Sequence, residues 1–189
     1  SVALSVLPQT HVDLVSYSSY EAIKQSQVPD LASVRDPLTS ILNFLEGQLT
    51  PKRGLPFARR VFIGEYGYHA NRAMPLSVEQ QYLKSRYVMQ VAIEEDLPFA
   101  LIWQLFNNEY APDGTSQEMS LIDEAGHKRA LYFLHQQYLS QMRAFVSERC
   151  RETGELPDRD TFRTKALETL TGLTFEKMQK MAQQASPSI

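Results

Sequence analysis

The sequence has one cysteine, one tryptophan and no apolar run of the roughly eighteen residues a bilayer span needs. A lone Cys150 excludes an intrachain disulfide and any metal site built from several thiolates, and it leaves the compartment undecided. Lys and Arg number 19 against 22 Asp and Glu, a net charge of -3, and no basic cluster interrupts that balance. The electrostatic footprint of nucleic-acid binding is therefore missing, and neither nucleic acid nor membrane is expected as a partner. The histidines, His11, His69, His127 and His135, show no short ligand spacing, so no catalytic metal is expected. Gly-x-Ser-x-Gly elbows and phosphate-cradling glycine loops are also absent, and no cofactor is predicted. Residues 1–7 are apolar but lack a basic lead-in and are too short for an intact signal peptide; they read as the tail of an element.

What is present is a globular composition, with 43% hydrophobic and 22% charged residues over 189 positions, enough for one domain with a real core. Three strand-like runs recur, each followed by an amphipathic helix. The first covers residues 11–17 and runs into a Ser/Tyr-rich tip ending at Tyr20. Asp36 and Pro37 suit the cap and first turn of a helix whose stripe is Leu38, Ile41, Leu42, Leu45 and Leu49. The second strand covers residues 61–65. Its helix starts at Ser77, which has capping-box spacing to Gln80, and Val78, Tyr82, Met89 and Ile93 form its stripe. Pro98 breaks the chain before a third strand at residues 99–103. A long helix follows at residues 130–149, with Leu131, Leu134, Tyr138 and Phe145 aligned. Residues 152–189 read as a loop and two short helices, punctuated by Gly154, Pro157 and Gly172.

Strands alternating with helices at this spacing predict an α/β fold with a parallel sheet. The three strand tips, residues 16–20, 65–69 and 103–109, then share one rim. Residues 61–63 form a continuous apolar run, as expected of a strand covered on both faces. Glu65 ends that run between Gly64 and Gly67, which let neighbouring backbone approach closely. An acid at the C-terminal end of a buried parallel strand is where barrel enzymes keep catalytic groups. The competing structural role for Glu65 is a buried ion pair with Arg60 or Arg72. Three parallel strands leave long apolar edges, and the chain starts almost at a strand. The expectation is thus the C-terminal part of a (β/α)8 TIM barrel over residues 1–149, with residues 150–189 as a helical extension. The alternative is a small three-layer α/β domain.

The rim segments resemble strands six, seven and eight of the retaining glycoside hydrolases of clan A. Ile63, Gly64, Glu65, Tyr66 and Gly67 are similar to that clan's nucleophile strand. Residues 12–20 resemble its strand six, whose aromatic-rich tip ends in a Tyr contacting the nucleophile; Ser18 stands where relatives often carry His or Asp. Residues 100–103 look like its strand eight, which commonly ends in a Trp under the sugar. The resemblance implies a glycosidase with Glu65 as nucleophile, a carbohydrate substrate and, from the habits of relatives, an extracellular or periplasmic setting. In this clan the acid/base is a Glu ending strand four, and no such strand is present. Retaining hydrolysis needs two carboxyl groups about 5 to 5.5 Å apart. The chain by itself is therefore expected to be inactive and to depend on the remaining N-terminal part of the barrel.

A Tyr hydroxyl donating to Glu65 would keep it charged and aimed; Tyr20 is the first choice and Tyr17 the second, with packing under the rim as the alternative for either. Trp103 offers an indole face to sugar C–H groups and an N–H to a hydroxyl, or else it is a core residue. Asn107, Asn108 and Glu109 follow on the loop as hydroxyl partners or turn formers. Glu109 and Glu21 are the only substitute acid/base candidates, and His69 lies close enough to the nucleophile strand to meet substrate or leaving group. Two rival functions remain. One is a non-catalytic carbohydrate-binding or degenerate barrel; the other is a barrel enzyme using Glu65 as a proton-abstracting base.

Overall fold

A computed structural model describes residues 2–23, 30–68, 76–110, 112–116 and 118–185. The element order is α1 (Val2–Ser5), a 3-10 turn (Leu7–Gln9), β1 (Val15–Ser18), α2 (Leu31–Gly47), β2 (Val61–Tyr66), α3 (Val78–Glu94), β3 (Ala100–Ile102), α4 (Ala130–Thr153), α5 (Arg159–Gly172) and α6 (Phe175–Gln184). The strands form one parallel sheet in the order β1-β2-β3, flanked by helices. The fold is α/β, and all three strands end on the same side.

Two starts differ from expectation for local reasons, and α4 runs past its expected end at Arg149 to Thr153, where Gly154 caps it in the left-handed conformation. β1 begins at Val15, four residues late, because the carbonyls of Val12 and Asp13 accept bonds from the Arg60 guanidinium and not from a neighbouring strand. α2 begins at Leu31, before the Asp36-Pro37 pair. The Asp30 carboxylate accepts from the Ser33 amide at 2.7 Å and caps the helix there, leaving Pro37 in its interior. Its stripe gains Val34, which is buried with Leu38, Leu42 and Leu45. α3 starts as the sequence predicts, with a complete capping box between Ser77 and Gln80. Its Val78 is exposed, however, while polar Gln81, Lys84 and Ser85 are buried. The helix therefore carries its own apolar stripe and a polar one that serves neighbouring loops.

Against these helices the sheet presents Val15, Tyr17, Val61, Ile63, Tyr66, Ala100 and Ile102. The strand registers show how. Val15 pairs with Val61 and Tyr17 with Ile63, but the next pair is Ser18 with Glu65. On the other side Ile63 pairs with Ala100 and Tyr66 with Ile102. β2 thus holds one residue more than either neighbour, a bulge at Gly64 and Glu65. A one-residue slip moves following side chains to the opposite face. It returns Tyr66 to the helix side and places Glu65 on the face of Phe62, Ser16 and Ser18. That second face is open: Phe99 and Leu101 are 44% and 51% exposed, and Phe62 meets Phe99 edge-on at 5.6 Å. The apolar run 61–63 is therefore not covered on both faces, because no described layer lies over Phe62. A groove of about 990 Å³ runs beside the free edge of β3, lined by Tyr66, Leu97, Ile102, His135, Leu139 and Phe162 among others.

Tyr66 is anchored from behind. His135 on α4 donates from Nδ1 to the Leu131 carbonyl at 2.7 Å, so its Nε2 accepts from the Tyr66 hydroxyl, also at 2.7 Å. Burial holds the imidazole below its ordinary pKa of 6.5. The unfolded chain takes up that proton once pH drops below 6.5 while the folded chain resists it, so stability is retained above 6.5 and lost as pH falls beneath it. Thermal melts across this range should show that loss, and His135→Gln should flatten it; an unchanged slope in the variant contradicts the assignment.

The glycines make a second test. A Cβ at Gly67 would lie 2.0 Å from the Trp103 carbonyl oxygen, and one at Gly64 would lie 1.8 Å from the Ser16 hydroxyl. Either Ala substitution should cost about 1–3 kcal/mol by overpacking. Ser16→Ala should recover part of the loss at Gly64, whereas the clash at Gly67 is with backbone. Denaturant midpoints of the two single variants and the Ser16/Gly64 double variant decide this.

Candidate functional site

Backbone bonds stitch the three strand tips into one rim. The Glu65 carbonyl accepts from both the amide and the hydroxyl of Ser19, each at 3.0 Å. The Tyr66 carbonyl accepts from the Trp103 amide at 2.8 Å, and Gly67 lies against the Trp103 carbonyl. Ser19 is fully buried, so the turn after β1 is fixed to β2 immediately before Tyr20.

On this frame the Tyr20 hydroxyl lies beside the Glu65 carboxylate, near enough for that charge to act on it. Burial, then the neighbouring Glu65 carboxylate, then the charge of Glu109 push Tyr20 well above its ordinary pKa of 10.0. Tyr20 therefore remains a donor at physiological pH, as required of a group that orients a carboxylate. Trp103 leaves β3 toward the same rim, and its indole Nε1–H donates to Glu109 Oε1 at 3.1 Å. Glu65 and Tyr20 thus stand near the bonded pair of Glu109 and Trp103, and the four side chains come from all three tips. Among the described residues no group of three or more His, Cys, Asp or Glu is placed to hold a metal ion. Nor is any described helix long and apolar enough to cross a membrane.

The remaining candidates divide. Tyr17 lies on the helix side of the sheet, packed against the core. Burial and then the Glu21 charge raise its hydroxyl, with the Ala22 backbone acting in the opposite direction. It does not join Glu65. Asn107 receives the Glu109 amide at 3.3 Å and donates to Glu124 at 3.2 Å, so it shapes the loop under Glu109. His69 and Arg72 lie outside the described residues. Arg60 spends its guanidinium on the carbonyls of Val12, Asp13 and Thr50 at the far end of β2, and it forms no ion pair with Glu65.

Two contributors escaped the sequence reading. Gln81 on α3 donates to the carbonyls of Tyr68 at 2.7 Å and Glu118 at 3.1 Å, joining the segment after β2 to the loop after β3. Lys84 is 2% exposed and holds the Ile23 carbonyl at 3.3 Å beneath the turn that carries Tyr20. Its ammonium also faces the Tyr68 ring, 5.5 Å from the centroid, and burial lowers its pKa. A polar residue in a helix stripe was the only available signal for either.

No family model matches the chain, and no curated protein or solved structure does.

The closeness of Tyr20 to Glu65 makes a direct expectation. In the difference between titrations of the native chain and Tyr20→Phe, Tyr20 should ionise above 10.0. Glu65→Gln should bring that transition down, because the adjacent negative charge is gone. A transition indifferent to Glu65 would separate the two residues.

Proposed function

We propose that the chain is part of a retaining O-glycoside hydrolase barrel, with Glu65 as nucleophile and Tyr20 as its orienting donor. The observation that carries this reading is the bulge in β2, which sets Glu65 on the open face of the sheet beside Tyr20. On the helix face the same carboxylate would be surrounded by apolar core. The reaction is a double displacement. The Glu65 carboxylate attacks the anomeric carbon as the leaving oxygen takes a proton from a second carboxylic acid, and water then releases the sugar from the covalent glycosyl-enzyme.

The second carboxylic acid belongs to a strand this chain does not carry. The open face and free edges favour a larger sheet. Phe62, Phe99 and Leu101 form an apolar surface without a covering layer, and the edge of β3 adjoins an apolar groove. Exposed edges of this kind are normally paired or covered. The proposed partner is the remaining N-terminal part of the barrel, which closes the sheet and supplies the acid/base. A second reading is a non-catalytic carbohydrate-binding or degenerate barrel. It draws on the fact that Glu109, the other carboxylate of the cluster among the described residues, is bonded to Trp103.

With the barrel complete, Glu65→Gln should abolish glycoside hydrolysis and a mechanism-based fluorosugar should label Glu65. Sugar binding without turnover in the complete protein favours the binder. Labelling at another residue, with full activity in Glu65→Gln, ends the hydrolase reading.

A further inference from the structure

The indole N–H of Trp103 is already engaged. It donates to Glu109 Oε1 at 3.1 Å, and Glu109 is itself held by the Asn107 side chain through its amide at 3.3 Å. Asn107 is tied in turn to Glu124 at 3.2 Å. The carboxylate thus stands on a braced loop and grips the edge of the indole. A hydrogen bond to a charged acceptor is stronger than a neutral one, and an indole has no other polar atom to offer.

We propose that Glu109 is a positioning residue: by holding the indole N–H it fixes Trp103 so that a ligand meets the ring face alone. The sequence reading gave Trp103 two contacts with a sugar, its face and its N–H; the geometry removes the second. The site then selects a ligand with an apolar C–H face, such as the less polar side of a pyranose, and takes hydroxyl recognition from groups other than this indole. Aromatic faces suit such contacts because the ring is apolar and rigid. The choice of ligand class rests on the glycosidase reading; the clamp itself does not. Glu109 also lies close enough for its charge to raise Tyr20, which places the clamp beside the Tyr20–Glu65 pair.

Because Trp103 is the only tryptophan, the 15N-labelled chain has a single indole N–H resonance. Glu109→Val should move that resonance upfield and speed its hydrogen exchange about tenfold, the loss expected for one charge-assisted bond. Glu109→Gln keeps an oxygen acceptor on the same loop. It should retain most of the protection but lose part of the downfield shift, because the charge is gone. If Val disturbs the loop amides, the Gln variant decides alone. An indole signal identical to the native one in Glu109→Gln overturns the clamp.

Cellobiose, mannobiose and xylobiose, added to the protein with its barrel complete, distinguish the two levels of the proposal. Binding should perturb the indole ring carbons and leave the N–H protected. A disaccharide that draws the N–H away from Glu109 overturns face-only contact. If no disaccharide perturbs Trp103 while the Glu109 variants behave as expected, the clamp stands and the glycosidase reading loses its support.

Discussion

One extra residue in the central strand governs the site. Strand side chains alternate strictly, so without the bulge Glu65 would follow Val61 and Ile63 toward the helices, into a fully apolar core. A carboxylate there would have to be neutral or paired. Tyr66 takes that place instead and satisfies its hydroxyl on His135. The bulge is possible because Gly64 has no side chain: Ser16 of the neighbouring strand occupies the space a Cβ would need. Glycine spacing, strand register and the placement of a charged group are thus one constraint.

The rim built on that constraint is held mainly by backbone. Ser19 closes on the Glu65 carbonyl, Trp103 on the Tyr66 carbonyl, and Gly67 admits the Trp103 carbonyl at close range. Side chains whose parent backbone is bonded across strands lose little additional freedom when a ligand arrives, which is the sense in which a site is preorganised. Tyr20 and Trp103 gain that support from two different neighbours of β2. The backbone positions of both are therefore set by the sheet.

Much of the fold was legible because its signals are local. The Ser77–Gln80 capping box, the α2 stripe through Leu38, Leu42 and Leu45, and the order of strands and helices all depend on near neighbours in sequence. The start of α2 was misplaced because Asp30 and Asp36 are both competent caps and only Asp30 finds a free amide to accept from. The start of β1 was misplaced because Arg60, far along the chain, takes the carbonyls that would have continued the ladder. At the site, Glu65 and Tyr20 were visible as residue types at strand tips. The face Glu65 points to was not, since it depends on a register between strands. Gln81 and Lys84 were hidden for a similar reason: burial of polar helix residues is set by which carbonyls the loops bring to them.

The two bonds of Gln81 have a mechanical meaning. Its amide is a crosspiece between the segment leaving β2 and the loop leaving β3, and it is mounted on a capped helix that the core grips on its other side. The carbonyls of Tyr68 and Glu118 are thus tied to each other through one side chain, and a buried carbonyl left without it would cost about 1–3 kcal/mol. A shift of α3 along its axis would pull on both at once.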